Sequence, residues 1–414
     1  MRVRSRSYTV IVACLAGLAV PGLCAQTAAS NPLFEPQGAA DPGMVFHGPG
    51  SFSVISTGGN RDRGAGPIRR STDGGVRWTE TGPGFEQLGS AGAPRLFDAD
   101  PAGSSMNYPP WALDRDTPGA QATISAPQVY YFSSIERYVA YFTATNKGLG
   151  NARCIGRAVA STSGRATANM DNFKADAEPL LCHDKDARGG AYDIIDVSIF
   201  YDPQGDPQPR HYILFKRDNP QSRQIAIRPI SIDGARVGFD RQRTILTPTE
   251  PWEDGSVEAP KMIFREDNKR YYLFYSGSNF KVEAYAVGVA VSPYGVTYPM
   301  GGDFLKPPSA KGPTGKPLLW GGNDPKFCGV GGADLLLATP PGETSATAAK
   351  HFYAFYHAYK QAPGTPAQTG FCTDKNGGDD TRYLMRDRLN FDVSGGYPTS
   401  SSFWPSVNDG TPSG

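Results

Sequence analysis

Three acidic residues stand directly before strand-like apolar runs and are candidates for acid–base chemistry. They are Asp41 before PGMVF, Asp196 before VSIFY and Glu258 before APKMIF. A strand start disfavours a carboxylate, and three carboxylates brought together repel and raise one another's pKa. A cost of this kind favours a chemical role, because positioned carboxylates act as general acids and bases. The alternative is that each acid only caps a local turn.

These acids belong to five segments that share the order strand, polar turn, strand. The segments begin at Asp41, Ser125, Asp196, Glu258 and Gly332, at intervals of 84, 71, 62 and 74 residues. A unit of about four strands cannot bury both faces alone, but five units packed around an axis can. The repeat predicts an all-β fold, a single-domain five-bladed β-propeller. The innermost strands would then begin at one end of a central channel, where the acids converge.

The composition is typical of an all-β chain. The 414 residues include 49 Gly, 36 Pro, 20 Tyr and 21 Phe but only 7 Met, which favours short strands and many turns over long helices. Hydrophobic residues make up 39% of the chain, which is enough for a large core.

The N-terminus predicts export. Residues 1–25 carry three Arg ahead of an apolar run and end at a small-residue site, the layout of a secretory signal peptide. A membrane anchor is the alternative, but Pro21 breaks the apolar run before it reaches the roughly 20 residues of a membrane span. Removing three Arg and no acid changes the formal net charge from +1 to −2. We expect neither nucleic acid nor a membrane as a partner.

Four cysteines follow the predicted signal peptide: Cys154, Cys182, Cys328 and Cys372. In an oxidising compartment they predict two disulfides. Three pairings are possible, and proximity in the sequence favours Cys154 with Cys182 and Cys328 with Cys372. A zinc site is the alternative, but the chain has no CxxC pair and its 5 His are scattered.

A family resemblance becomes specific in four motifs. ADPG, ISAPQV, IDVSIFYD and EAPKMIF, in this order and each with its following hairpin, resemble glycoside hydrolase family 43. The resemblance extends over a propeller domain at residues 31–398, which leaves 399–414 as a flexible tail.

The resemblance implies hydrolysis with inversion at an anomeric carbon by three carboxylates. Asp41 would be the general base that deprotonates the attacking water, and Glu258 the general acid that protonates the leaving oxygen. Asp196 would orient Glu258 and keep its pKa high. Inversion needs the two reacting carboxyl groups roughly 6.5 to 9.5 Å apart, and strand starts that face each other across a channel can supply such a gap.

The resemblance also implies the substrate class. We expect α-L-arabinofuranosyl linkages first and β-xylosyl linkages second, in arabinan, arabinoxylan or oligosaccharides derived from them, with endo-arabinanase activity as a further alternative. The hypothesis from another class is a non-catalytic sugar-binding propeller, against which the three retained acids argue. A transferase or phosphorylase is less expected, because exported enzymes lack phosphate donors.

Sugar sites also need flat apolar faces. Trp111 precedes the second blade and Trp252 precedes Glu258, so both are predicted to border the channel mouth, with a place in a blade core as the alternative. Phe280 and Arg382 are weaker candidates for substrate contact.

The fifth blade departs from the common family pattern. Many family members carry a His at this blade start, where it helps to hold a water or a metal ion, but this chain has Gly329, Val330, Gly331, Gly332 and Ala333. We therefore expect no required cofactor, although the adjacent Asp334 is a carboxylate that can point inwards.

A short motif, STDGGVRW at residues 71–78, matches the Asp box of sialidases and other propellers. The box is a structural hairpin device, and a single copy is apparent in the sequence. A sialidase would also need three clustered Arg and a Tyr nucleophile beside a Glu, so the motif supports the propeller without changing the predicted chemistry.

Overall fold

The computed structural model describes most of the chain between the predicted signal peptide and the tail. The described residues are 33, 38–57, 66–79, 109–112, 124–166, 170, 173–182, 184–185, 191–205, 210–219, 222–238, 242–292, 304–306, 317–321, 327–338, 350–360, 372, 381–391 and 399–400. The predicted signal peptide lies outside them. No helix among the described residues is long and apolar enough to cross a membrane.

Nearly all regular structure in this part of the chain is β-strand. In chain order the strands are β1 (Gly43–Gly48), β2 (Ser51–Ile55), β3 (Ile68–Ser71), β4 (Ser125–Phe132), β5 (Arg137–Asn146), β6 (Ala152–Ala160), β7 (Phe173–Ala175), β8 (Asp184–Lys185), β9 (Ala191–Asp202), β10 (Arg210–Asn219), β11 (Ser222–Ile230), β12 (Arg243–Leu246), β13 (Val257–Arg265), β14 (Arg270–Gly277), β15 (Ala286–Ser292), β16 (Leu319–Trp320), β17 (Phe327–Ala338), β18 (His351–Lys360), β19 (Tyr383–Asn390) and β20 (Thr399–Ser400). Short 3-10 helices occur at Pro110–Ala112, Lys147–Leu149 and Pro251–Glu253.

The strands form five antiparallel sheets, which are the predicted blades. Their strand orders are β1-β2-β3, β4-β5-β6-β7, β12-β11-β10-β9-β8, β13-β14-β15-β16 and β17-β18-β19-β20. The inner strands β1, β4, β9, β13 and β17 contact one another in succession, and β17 contacts β1. This closed ring confirms the five-bladed propeller. The pairing of β20 with β19 extends the last blade two residues beyond the predicted boundary at 398.

Each apolar core lies between two neighbouring blades. Five clusters of buried side chains join the first blade to the second, the second to the third, and so on until the fifth joins the first. Blades are therefore buried on both faces, and central strands read as continuous apolar runs. The segment 271–275, YYLFY, is buried at every position.

A residue with positive φ recurs at the inner strand of every blade. The residues are Asp41 (49°), Ala126 (44°), Asp196 (56°), Ala259 (48°) and Gly332 (61°). In the second to fifth blades the pairing register shifts at this point, which is the mark of a β-bulge. Such a conformation is costly for a residue with a side chain, so its recurrence in all five blades marks a turn of the backbone that the fold repeats beside the channel.

The bulge corrects the predicted alignment of the repeats. The fourth blade places Ala259, and not Glu258, at the position of Asp41 and Asp196, so Glu258 stands one residue earlier than predicted. Successive side chains of a strand point to opposite faces, and a one-residue offset therefore changes the direction of the carboxylate. In the sequence the acids mark equivalent positions of the repeats, whereas in the structure the residues with positive φ mark them.

The Asp box has the expected hairpin structure. Ser71 donates to the Asp73 carboxylate over 2.9 Å, and Asp73 accepts the backbone N–H groups of Val76 and Arg77. The carbonyl of Gly74 accepts a 3.0 Å hydrogen bond from Arg386 of the fifth blade. The box therefore joins the first blade to the fifth.

A second loop with the same kind of hydrogen bonds lies in the third blade, although its sequence does not match the complete motif. In SIDGARVG, residues 231–238, Ser231 donates to Asp233, and both side chains accept the backbone N–H of Ala235. The carbonyl of Gly234 accepts a 2.9 Å hydrogen bond from Tyr141 of the second blade. Ala235 stands in place of the motif's Gly and Gly238 in place of its Trp, so the sequence pattern does not reveal this loop.

Two disulfides form with the pairing that proximity favoured. Cys154 pairs with Cys182 within the second blade, and Cys328 of β17 pairs with Cys372. The N–H of Cys372 also donates to the carbonyl of Lys281 over 2.7 Å. The second disulfide thus fixes a loop of the fifth blade against the loop that follows β14.

We expect Asp233→Ala and Asp73→Ala each to lower the free energy of unfolding by about 1 kcal/mol or more, because backbone N–H groups lose their acceptor. Urea denaturation measures the effect. Glu266→Ala is the control, since its exposed ion pair with Lys269 contributes little. Equal stability of Asp233→Ala and Glu266→Ala would contradict a structural role for the second loop.

Candidate active site

The five segments that carry the residues with positive φ surround a cavity of about 50 Å³ in the central channel. Asp41, Asp196 and Asp334 contribute acidic side chains to residues that line it, and Lys261 contributes a basic one. The side chain of Glu258 lies beside this lining and is 14% exposed. Two of the three predicted catalytic acids therefore line the cavity directly, and Glu258 stands next to it on the bulge of β13.

Asp41 is held by hydrogen bonds with residues of the first and fifth blades. Thr57 donates to its Oδ2 over 2.6 Å and Arg382 to its Oδ1 over 3.0 Å, while its own N–H donates to Nδ1 of His357 over 3.1 Å. Thr57 in turn accepts the N–H of Ala126 from the second blade. Burial works to raise the pKa of Asp41, but the Arg382 charge and the Thr57 hydrogen bond outweigh it and lower that pKa. Asp41 is thus a carboxylate at neutral pH.

Arg382 and Phe280, the weaker predicted candidates, lie together beside Asp41. The Arg382 guanidinium sits 4.8 Å from the centroid of the Phe280 ring, a cation–π distance. Phe280 is partly exposed. The pair therefore combines an apolar face and a charge next to a catalytic candidate, at the loop that the Cys328–Cys372 disulfide fixes.

The acids Asp196 and Glu258 form a coupled pair. The N–H of Ala259, the residue after Glu258, donates to Oδ2 of Asp196 over 3.1 Å. Burial first, and then the Glu258 charge, raise the pKa of Asp196 to about 7, against the opposing effect of Lys216. Asp196 therefore retains its proton up to about neutral pH.

Glu258 accepts a hydrogen bond at each carboxylate oxygen. The Tyr285 hydroxyl donates to Oε1 over 2.7 Å, and Nζ of Lys216 donates to Oε2 over 2.8 Å. The fully buried Tyr285 ring also stacks on the imidazole of His357, with centroids 5.8 Å apart and an interplanar angle of 11°. The two rings connect the surroundings of Glu258 with those of Asp41.

His357 is a site residue that the sequence analysis missed. The expected position of a His was the start of β17, but His357 comes from β18, opposite Gly331. Burial and the Arg382 charge lower the pKa of His357 to about 3, so the imidazole is neutral. The register of the fifth hairpin is the signal that would have located it.

The glycine run of the fifth blade makes room for these rings. A Cβ at Gly331 would lie 2.0 Å from the Tyr285 ring, and a Cβ at Gly332 would lie 2.6 Å from Nδ1 of His357. Side chains cannot approach so closely. The glycines of this run therefore leave space for the imidazole of His357 from the neighbouring strand β18.

The two predicted tryptophan platforms lie in blade cores, which corrects their assignment to the channel mouth. Trp111 is 9% exposed and stacks on Phe142, with centroids 6.2 Å apart. Trp252 stacks on Tyr275 at 5.9 Å and covers Gly277, where a Cβ would lie 2.4 Å from its ring. Burial of the large indole faces against neighbouring strands keeps both from the cavity.

The channel residues do not fit a metal ion. Asp334 faces the channel, but its Oδ1 accepts the Lys261 ammonium over 2.6 Å and its Oδ2 the N–H of Met44 over 2.7 Å. Nε2 of His357 lies 3.5 Å from the Arg382 guanidinium. Among the described residues, no three His, Cys, Asp or Glu side chains are grouped as metal ligands.

Comparison with solved structures gives 145 matching chains. A thermostable family-43 glycoside hydrolase aligns with a TM-score of 0.60 at 20% identity, over 92% of this chain and 98% of its own. The chain has the fold of the family-43 glycoside hydrolases. An endo-1,4-β-xylanase from Bacteroides thetaiotaomicron aligns with a TM-score of 0.60 at 17% identity, over 93% and 99% of the two chains.

A third similar structure is the α-L-arabinanase of Cellvibrio cellulosa in complex with arabinohexaose. It aligns with a TM-score of 0.52 at 19% identity, over 88% of this chain and 96% of its own. Neither a protein-family model nor a curated protein matches the sequence. The likeness to family-43 propellers is therefore a likeness of fold across nearly the whole chain.

We expect Gly331→Ala to lower the free energy of unfolding by about 1–3 kcal/mol, because the added methyl group overpacks the Tyr285 ring. Gly238→Ala is the matched control, since its nearest contact would be 3.6 Å. Denaturant unfolding compares the two variants with the parent, and an equal effect of both would show that the Tyr285 contact is loose.

We expect Asp196→Asn to be more stable than the parent at pH 8 and equally stable near pH 4. The raised pKa of Asp196 means that the folded state holds a proton that the unfolded state loses, so stability falls as pH rises from about 4 to about 7. Asparagine does not ionise, so the variant lacks this fall in stability as pH rises. Urea midpoints at both pH values measure the difference, and a difference that does not change with pH would contradict the raised pKa.

Proposed function

We propose that this chain is a secreted glycoside hydrolase of the family-43 type that cleaves α-L-arabinofuranosyl linkages with inversion. The observation that carries the proposal is the division of charge among three neighbouring acids. Asp41 is held as a carboxylate by Arg382 and Thr57, whereas the raised pKa of Asp196 lets the Asp196–Glu258 pair keep a proton. An inverting glycosidase needs one group in each state.

Asp41 is the general base in this mechanism. Its ionised oxygens take a proton from the water that attacks the anomeric carbon. The Arg382 and Thr57 hydrogen bonds hold the carboxylate in one orientation, and the neutral His357 fixes the backbone of the same bulge. The positive φ of Asp41 directs the side chain into the channel.

Glu258 is the general acid and Asp196 its positioning partner. Glu258 gives its proton to the oxygen of the leaving group as the glycosidic bond breaks. Asp196 binds the backbone N–H that follows Glu258, which fixes the bulge, and its negative charge opposes ionisation of the pair. A carboxyl pair that keeps one proton near neutral pH is matched to acid catalysis there.

The substrate is proposed to be arabinan, arabinoxylan or an oligosaccharide from them, with β-xylosyl linkages as the second choice. The likeness of fold to an arabinanase and to a xylanase supports this class, and endo-arabinanase action is compatible with it. Phe280 and Arg382 are the proposed substrate contacts, because they present an apolar face and a cation beside Asp41. The disulfides and the predicted signal peptide support export.

We expect the purified protein to release arabinose or xylose from one substrate in a panel of aryl glycosides, oligosaccharides and polysaccharides. Asp41→Asn should lower kcat by about 100-fold or more on every substrate. Glu258→Gln should lower kcat by a similar factor on oligosaccharides. The decrease in kcat should be smaller on aryl glycosides, because their phenolate leaves without needing a proton. Proton NMR of the first product anomer should show inversion.

The matched control is Asp202→Asn, because Asp202 is a buried acid of the same strand as Asp196 and binds Tyr271 away from the cavity. It should retain parental activity. A parent that binds oligosaccharides but cleaves none of the panel would replace this proposal with the non-catalytic sugar-binding propeller.

A further inference from the structure

A buried lysine contacts the proposed general acid. Lys216 lies on β10 of the third blade, and its side chain is 5% exposed. Its Nζ lies 2.8 Å from Oε2 of Glu258 and 3.4 Å from Oδ2 of Asp218. The mechanism described above gives this ammonium no part, although burying it is costly unless its charge is balanced.

Asp218 is not the main reason for the lysine. Arg153 already binds Oδ2 of Asp218 over 2.9 Å, and Arg223 lies 3.2 Å from its Oδ1. Two guanidinium groups therefore balance this carboxylate from the more exposed side. The shorter contact of Lys216 is the one to Glu258, across the boundary between the third and fourth blades.

The hydrogen bonds of Glu258 are those of an ionised carboxylate. Tyr285 donates to one oxygen and Lys216 to the other, and burial keeps the Tyr285 hydroxyl protonated by raising its pKa well above the usual value. This arrangement is the one that Glu258 has after it has given its proton away. The partners that stabilise the charge of Glu258 after proton transfer are therefore in place before the reaction.

We propose that Lys216 is a positioning residue that fixes Glu258 and stabilises the negative charge which Glu258 acquires when it protonates the leaving group. This inference rests on the proposed function. In the step, the O–H bond of Glu258 breaks, its electron pair stays on the carboxylate, and the proton joins the oxygen released from the anomeric carbon. The ammonium neither gains nor loses a proton.

Other polar and charged groups face the Glu258 carboxylate, and they determine how its ionisation changes when Lys216 is removed. Asp196 approaches from β9, Tyr285 from the segment before β15, and Asp41 with Arg382 from the far side of the channel. Within the described residues, Lys216 is the cation in direct contact with Glu258. Its removal leaves the acids to oppose one another's ionisation, so the pair would keep its proton to a higher pH.

The test is the pH profile of kcat/KM for Lys216→Met. We expect the alkaline limb to move up by about 1 pH unit or more, because an opposite charge at this distance lowers a carboxyl pKa by roughly 1–3 units. We also expect kcat to fall more on substrates with poor leaving groups. Lys216→Arg, which keeps the charge, should restore the position of the limb.

Lys306→Met is the matched control, since Lys306 is a buried lysine paired with Glu253 at 2.7 Å outside the site. It should leave the alkaline limb in place. A fall in kcat for Lys216→Met with an unmoved limb would overturn the proposal and leave only a packing role. If Lys216→Met does not fold, Lys216→Gln replaces it in the same comparison.

A second readout does not depend on activity. In protein labelled with carbon-13 at the glutamate carboxyl, the Glu258 signal is assigned by its loss in Glu258→Gln and followed by NMR across pH. We expect the titration of the acid pair to move to higher pH in Lys216→Met, and an unchanged titration would also overturn the proposal. A parent inactive on all substrates would refute the proposed function, while this titration would still decide whether Lys216 stabilises ionised Glu258.

Discussion

Neutralisation of negative charge in a narrow channel is the constraint on which the site depends. Three carboxylates near the axis each have a cation from another strand: Asp41 has Arg382, Glu258 has Lys216 and Asp334 has Lys261. Asp196 shares in the charge of Lys216 but binds a backbone N–H in place of a cation of its own. Burial opposes ionisation of both Asp41 and Asp196, and this difference in partners lowers the pKa of Asp41 but leaves that of Asp196 raised.

Neutral rings separate the two halves of this charge system. Tyr285 and His357 stack on each other, with the Tyr285 hydroxyl on Glu258 and Nδ1 of His357 on the backbone N–H of Asp41. They occupy space that the glycines of the fifth blade leave open. A low-polarity layer of this kind keeps each local charge pair strong, and it permits opposite protonation states on opposite sides of one small cavity.

The outer parts of the blades hold the ring together without entering the site. Five apolar cores lie between successive blades, two Asp-box loops bind the next blade through a backbone carbonyl, and two disulfides close loops. Loss of register in one blade would displace a bulge at the channel. A stable ring of blades is therefore needed to keep the site residues in position.

Local signals in the sequence determined much of this protein. The five hairpins, the propeller fold, the disulfide pairing and the acids near the channel follow from patterns that span a few tens of residues, because strand alternation, turn residues and proximity in the chain act at that range. The tertiary structure alone decided the partners of the acids. Asp41 meets residues 316 and 341 positions away, and Glu258 meets a lysine of another blade. It also decided that Glu258 stands one residue before its predicted place and that both tryptophans lie in blade cores, because bulge position and packing between blades depend on contacts that no short pattern contains.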